Sequence, residues 1–404
     1  MTGMHSKSDV VARVRQIYVR RPYPAVDPAQ KKLRPIWRIA PMPWIEAMWE
    51  PTRAEPRRIL VAGCGTGNEA FGLRALFPAA EIVGVDFCAR SIKLARRLQS
   101  QFSRRKKTQF ITADVTSAGF QREIGGRFDF VSCHGVLSYI PNAEGALQNL
   151  ASALAENGAL YLGVNGGRHF SEAWRPVLRE FGVDADEFRD DPRLRDLLKL
   201  CDALASDGLD IASRRPEYLA SDLFGPVIAN RPLEKWLDLA QACGLHFRGS
   251  YAAHRTLRQV LNAELYELLL PRTRAEAHCV AERIAPASFH YLVLTRKAAA
   301  TSRWPRDGEL LRCRVLPTNL YTTRLPKPRA RAGKLRQLIL KSAATNTRAD
   351  LRVPGWVIDL LGETNGQRKL NEILGPRARR IASRSLRREL YLLYLLGAIN
   401  VAPE

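Results

Sequence analysis

Residues 59–69 read Ile-Leu-Val-Ala-Gly-Cys-Gly-Thr-Gly-Asn-Glu, an apolar run that ends in three alternate glycines and opens onto a helical pattern. A buried strand must here turn sharply into a helix whose free N–H groups face the turn. Glycines let the backbone approach a ligand there without a Cβ in the way. Nineteen residues after Gly67, Asp86 closes a second apolar run, Glu-Ile-Val-Gly-Val-Asp. An acid so placed can accept hydrogen bonds from ribose hydroxyls. The spacing predicts strands over 58–62, 81–86, 108–112, 128–133 and 159–164, with helices over 69–76, 89–101 and 143–155 between them. Two more strands are expected over 245–251 and 288–295. This β-α-β-α order predicts an α/β fold with a parallel sheet and helices on both faces.

Outside the alternation the pattern changes. Val10, Val11, Val14, Ile17 and Tyr18 recur at helical spacing over 9–20, and Pro22 and Pro24 end that helix. Trp37, Trp44 and Trp49, set among prolines, suggest an irregular segment that packs on something. Residues 168–240 read as mostly helical and are expected to cover the substrate side of the sheet as a lid. Residues 298–306 read as a linker. Beyond them, helices are expected near 334–342, 354–361, 368–374 and 381–396, without an alternating sheet pattern. The expected organisation is an N-terminal helix and cap over 1–56, a sheet domain over 57–297 and a basic, helical C-terminal domain over 306–404.

Net charge narrows the partners. The 404 residues carry 63 Lys+Arg against 40 Asp+Glu, a formal +23. Residues 301–404 hold 21 of those bases and 8 of the acids, so the last quarter is the more basic part per residue. Such a surface attracts nucleic acid, acidic protein or a phosphorylated small molecule, or it reflects a chain rich in arginine throughout. The run 377–388, Arg-Ala-Arg-Arg-Ile-Ala-Ser-Arg-Ser-Leu-Arg-Arg, is a phosphate-binding candidate or a basic helix with Ile381 and Leu386 inward. The run 104–107 reads as a solvated loop. Seven cysteines without CxxC spacing argue against zinc or a disulfide framework and fit a reducing cytoplasm. No apolar stretch is long enough to span a bilayer, and no metal is expected.

A nicotinamide-binding loop would favour GxGxxG, whereas this chain has GxGxG with Asn68 next. Asp114 follows the third strand in Phe-Ile-Thr-Ala-Asp-Val, where an acid can accept from an adenine amino group. Ser-Cys-His-Gly-Val-Leu-Ser-Tyr follows the fourth strand, and Glu-Asn-Gly-Ala-Leu precedes the fifth. With these four motifs in order, residues 57–297 resemble the class I S-adenosylmethionine-dependent methyltransferases. The resemblance implies a seven-stranded Rossmann-like sheet with an antiparallel last strand. It implies that Gly63, Gly65 and Gly67, with Cys64 between them, wrap the amino-acid part of S-adenosylmethionine. It also implies that Asp86 holds the ribose, Phe87 packs on the adenine, Asp114 and Val115 read the adenine edge, and Cys133 and His134 line the methionine end. Many members place an acid shortly before the first glycine, where this chain has Val61-Ala62.

A narrower resemblance joins Tyr18-x-x-x-Pro22-Tyr23-Pro24 to a bacterial subgroup with a YxxxPYP segment and a winged-helix-like regulatory or substrate-binding C-terminal domain. Residues 316–326 and 353–404 are similar to that domain. His134 is a candidate catalytic base or substrate contact, and equally a packed residue. Tyr18 and Tyr23 are catalytic candidates beside His134; they either close over the cofactor or simply pack. Asn165 and His169 lie where substrates enter such a sheet, or in a plain turn. Cys64 reads as a small buried residue. The acceptor expected first is a protein side chain, then nucleic acid, then a small molecule. A non-catalytic, cofactor-sensing regulator that binds nucleic acid is the reading from another class.

Overall fold

The computed structural model describes residues 7–24, 56–102, 108–184, 188–204, 210–250, 266–269, 272–298, 304–305, 307–317, 321–324, 335–342, 348–381, 383–395 and 398–402. The three tryptophans at 37, 44 and 49 and the basic run at 104–107 lie outside them. So do parts of 298–306 and of 316–326.

After the first helix, α1 (Lys7–Arg20), the chain builds β1 (Arg58–Ala62), α2 (Asn68–Leu76), β2 (Glu81–Asp86), α3 (Ala89–Phe102), β3 (Gln109–Thr112), α4 (Phe120–Ile124), β4 (Phe128–His134), α5 (Ala143–Ala153) and β5 (Leu154–Asn165). Four helices follow: α6 (Ser171–Glu180), α7 (Pro192–Leu204), α8 (Pro216–Asp222) and α9 (Leu233–Ala242). Then come β6 (His246–Ser250), α10 (Tyr266–Leu269), α11 (Arg274–Ile284) and β7 (Phe289–Thr295). The sheet runs β3-β2-β1-β4-β5-β7-β6. The pairs β3–β2, β2–β1, β1–β4 and β4–β5 are parallel, and β6–β7 is antiparallel.

Strands in the middle of such a sheet are covered on both faces, so their residues are apolar without alternation. Ile59, Leu60 and Val61 in β1 and Phe130 and Val131 in β4 are fully buried. One boundary differs from the expectation. Residues 154 and 155 belong to β5 rather than to α5, because Leu154 already has an extended backbone and pairs with Phe128.

The chain divides into two compact units. The first takes in α1, residues 56–244 and residues 287–290. Within it α6–α8 and the segments beside them have a core of their own, formed by Phe170, Trp174, Leu178, Leu194, Leu198, Ile211, Leu219, Leu223 and Phe224.

The second unit takes in residues 245–286 and 291 onward. Its later part contains α12 (Asp307–Leu310), β8 (Arg314–Pro317), β9 (Tyr321–Arg324), β10 (Leu335–Ser342), β11 (Arg348–Pro354), α13 (Gly355–Glu363), α14 (Leu370–Leu374), α15 (Ser383–Leu395) and β12 (Ile399–Ala402). Antiparallel β11-β10-β9 form one sheet and β12-β8 another. The helix expected over 334–342 is therefore a strand. Leu338 is buried while Leu335 and Gln337 are exposed, so burial alternates along β10 as on a one-sided sheet. Around Trp304, the rings of Tyr391 and Tyr394 pack at 5.1 and 4.9 Å, and Arg274 lies 3.6 Å from the Tyr394 centroid.

Candidate functional site

The order of the strands reverses at β1, which lies between β2 and β4. Loops leaving neighbouring parallel strands diverge at such a point and open a crevice at their carboxyl ends. Part of the motif residues meet there, whereas Cys64, Gly65, Gly67, Cys133 and His134 are not among the pocket walls. Gly63, Asp86, Phe87, Asp114 and Val115 wall one pocket together with Val11, Val14 and Val136. Its volume is about 530 Å³, counting solvent at its mouth.

Two glycines show why no side chain fits in the loop. Gly63 has φ of +69°, and a Cβ on it would collide with the Val136 side chain. Gly65 has φ of +52°, and a Cβ would run into the carbonyl of Tyr23. The loop is roofed by the segment after α1. The Thr66 backbone N–H donates to the Tyr23 carbonyl at 3.2 Å, and its hydroxyl donates to the Pro24 carbonyl at 2.9 Å. Tyr18 meets Phe87 edge-on with ring centroids 5.7 Å apart.

Asp86 ties this arrangement together. One carboxylate oxygen accepts from Gly65 N–H at 2.9 Å and the other from Cys88 N–H at 2.8 Å. Burial nevertheless raises its pKa to about 6, and the two N–H groups pull against that rise. Asp114 accepts from the Thr116 backbone and hydroxyl at 2.9 and 2.7 Å and pairs with Arg15 at 3.6 Å. Cys64 and Cys133 are buried, and burial pushes both thiols up, against nucleophilic use. His134 lies at the end of β4 but packs away from the pocket walls. Its Nδ1 is 2.8 Å from the Tyr161 hydroxyl, and its ring sits 5.1 Å from Phe289.

Several groups at this end of the sheet are ones that motif reading passed over. Glu69 is in the first turn of α2, and its carboxylate receives the Ser132 hydroxyl. Ser132 is the ladder partner of Val61, so Glu69 brings an acid beside the strand position where many class I enzymes carry one. Burial raises its pKa to about 7, and no Lys or Arg among the described residues pairs with it. Its nearness to the glycine motif was the available signal.

Asn165, at the end of β5, is a fully buried hub. Its side chain accepts from the Tyr139 hydroxyl at 3.1 Å and donates to Asn230 at 3.0 Å. Its backbone accepts from Trp236 Nε1 at 2.8 Å and donates to the Ser138 hydroxyl at 2.8 Å. His169 sits in a turn against Ser171 at 2.8 Å, and burial lowers its pKa to about 4. Asp222 closes α8, half-buried, and accepts from the Ser221 hydroxyl at 2.7 Å; burial raises its pKa to about 6. No local motif marks Asp222.

The reversed strand order, the glycine turn and the acids closing β2 and following β3 define the Rossmann-like methyltransferase fold. Residues 60–160 match the family described as a methyltransferase domain. A malonyl-[acyl-carrier protein] O-methyltransferase of Legionella pneumophila is 32% identical over 122 residues, covering 30% of this chain and 41% of that protein. A release factor glutamine methyltransferase of Chlorobaculum tepidum is 33% identical over 93 residues, covering 23% and 31%. The structure of PKMT2 from Rickettsia typhi in complex with AdoHcy superposes with a TM-score of 0.59 at 14% identity, covering 91% of this chain and 76% of that one. The chain thus spans less than half the length of these two curated relatives. Residues 60–160 are thus similar to a methyltransferase domain, and the sheet that holds them has the fold of one.

Proposed function

We propose that the chain transfers a methyl group from S-adenosylmethionine to a protein side chain in the cytoplasm. The observation that carries the transfer reading is one pocket that unites Gly63, Asp86, Phe87, Asp114 and Val115 at the carboxyl end of the sheet. The residues suit the cofactor. The glycine turn leaves room where a Cβ would collide, and each acid meets a part of the ligand that donates hydrogen bonds. Asp86 would hold the ribose, with Phe87 against the adenine and Asp114 with Val115 at its edge. Cys64 and Cys133 fill space beside the amino-acid part, with His134 packed at the end of β4. Glu69 offers its ammonium group the carboxylate that Val61-Ala62 lack.

When bound, S-adenosylmethionine supplies a methyl group made electrophilic by its sulfonium. The protein has to align a nucleophile and exclude water. Tyr18, Tyr23 and Pro24 suit the second task, because they already lie over the loop and Phe87. A protein acceptor is supported by the YxxxPYP resemblance and by the release-factor enzyme among the relatives. In the same reading, residues 306–404 form the subgroup's winged-helix-like domain and present the acceptor.

Asp86→Ala should cost about 1.5–3 kcal/mol of cofactor affinity, since the ribose loses a charged acceptor. Calorimetry with S-adenosylmethionine checks this, and unchanged affinity or tight NADH binding would reject the assignment. Incubation with labelled S-adenosylmethionine and a fractionated lysate identifies the acceptor. Label in RNA, DNA or metabolites rather than in protein would overturn the choice of acceptor.

A further inference from the structure

One wall of the cofactor pocket comes from outside the sheet motifs, from the first helix. Residues 11, 14, 15 and 18 of α1 fall at i, i+3, i+4 and i+7, so they share one face. On that face Val11 and Val14 line the pocket, with Val14 buried and Val11 open to solvent. Arg15 reaches Asp114 at 3.6 Å, and its guanidinium lies 5.9 Å from the Phe87 centroid. Tyr18 meets Phe87 edge-on at 5.7 Å. The face therefore bears on Phe87 and Asp114, the two residues that the methyltransferase reading gives to the adenine. The helix and these residues belong to one compact unit.

The two ends of α1 are held differently. At the C-terminal end Arg90 donates to the Val19 carbonyl at 2.7 Å, and Thr66 bonds the Tyr23 and Pro24 carbonyls just beyond it. Nearer the N-terminus, the two valines and the Arg15–Asp114 pair meet the pocket. That pair is open to water, since 54% of the Arg15 side chain is exposed. Such a pair is weak and is screened by salt. Asp114 also keeps an oxygen for a ligand. Its Oδ1 takes both the Thr116 backbone and hydroxyl, whereas its Oδ2 faces Arg15 at more than hydrogen-bond length. Oδ2 can accept from an adenine amino group while Arg15 stays against it.

We propose that the N-terminal half of α1 is a movable wall of the cofactor slot, and that Arg15 is a positioning residue which acts through Asp114 to keep the wall closed over a bound adenine. This rests on the methyltransferase reading above. With the pair made, Val11 and Val14 stay against the slot and shield the base from water. With the pair broken, the helix swings on its anchored C-terminal end and the ligand leaves. The latch sets how long the cofactor or its product stays, and the fold does not depend on it.

The test uses the full chain and S-adenosylhomocysteine, with release rates read by surface plasmon resonance and affinity by calorimetry. Arg15→Ala should speed release about threefold to fivefold, the scale of an exposed ion pair, and weaken affinity by the same factor. Arg15→Lys, which keeps the charge, should restore most of the wild-type rate. Raising salt from about 0.05 to about 1 M should speed release from the wild type but not from Arg15→Ala, because only the wild type has the pair to screen. In an Asp114→Asn background Arg15→Ala should add nothing, as expected if the arginine acts through that carboxylate. The salt series decides alone if Asp114→Asn does not fold. Equal release from wild type and Arg15→Ala, or a salt response that survives the substitution, would overturn the latch and leave the methyltransferase reading standing. No binding of S-adenosylhomocysteine by the wild type would overturn both.

Discussion

The strands around β1 and the strands around β10 solve different problems with similar residues. β1, β2, β4 and β5 lie inside a wide sheet, and almost every residue in them is buried. In β10, Leu335 is 62% exposed and Leu338 is fully covered. The first kind of strand is covered on both faces and announces itself as a mostly apolar block, with a polar residue such as Ser132 only where a partner meets it. The second needs only alternate leucines, and over eight residues those can be read at helical spacing as well. The contrast shows that the signal in a sequence follows how many faces of an element are buried, not how important the element is.

The largest expected effect tests that contrast directly. Phe130→Ala, in the middle of β4, should cost about 3–5 kcal/mol, whereas Leu338→Ala in β10 should cost about 2–3 kcal/mol, near the low end for a buried leucine. Urea denaturation of both variants measures the difference, and equal losses would mean that β10 lies in as dense a core as β4. Gly65→Ala comes next. Its φ of +52° and the Tyr23 carbonyl leave no place for a methyl group. The variant should fold yet lose about 1–3 kcal/mol of S-adenosylhomocysteine affinity, as expected for forced backbone strain. Calorimetry reads it, and wild-type affinity would show that the roof over the loop gives way freely.

Glu69 sharpens the comparison through pH. Its folded pKa, raised by burial to about 7 from 4.5, means that ionisation opposes folding. Its contribution is fully present below about pH 4.5 and is lost as pH rises through about 7. In the cofactor-free protein, Glu69→Gln should therefore gain in melting temperature relative to wild type between pH 5 and 8, while binding S-adenosylhomocysteine more weakly. A gap that stays constant with pH would mean that the carboxylate is already well solvated. The smallest effect belongs to the second unit. Arg377 pairs with Glu363 at 3.0 Å and Asp359 at 3.5 Å, and Arg388 bonds Glu389 at 2.6 Å, whereas Arg379 and Arg380 are exposed. Replacing Arg379 and Arg380 by alanine should change stability by less than about 0.5 kcal/mol. RNA binding whose log–log salt slope falls by about 0.7–0.9 for each replaced arginine would instead mark a phosphate-binding face.

What was legible in the sequence follows the same physics. The glycine turn, Asp86 and Asp114 are local: each sits at a strand end whose register is fixed by a few residues on either side. The strands of the sheet were legible because their burial leaves continuous apolar blocks. Asn165 was visible only as a residue at a strand end. Its role depends on Tyr139, Asn230 and Trp236, which reach it from three other segments. Asp222 was not visible at all, because nothing in its spacing sets it apart from any acid at the end of a helix. The helical reading of 334–342 failed where two periodicities fit the same short stretch.

The roof over the glycine turn also has a consequence in polymer terms. Thr66 and Pro24 are 42 residues apart in the chain, and their hydrogen bond closes a large ring. The entropy of closing such a ring grows only with the logarithm of its length. For a flexible chain, each doubling of loop length costs only about 0.6 kcal/mol. A single methyl group on Gly65, which would run into the Tyr23 carbonyl, should therefore loosen the roof more than that slow logarithm does.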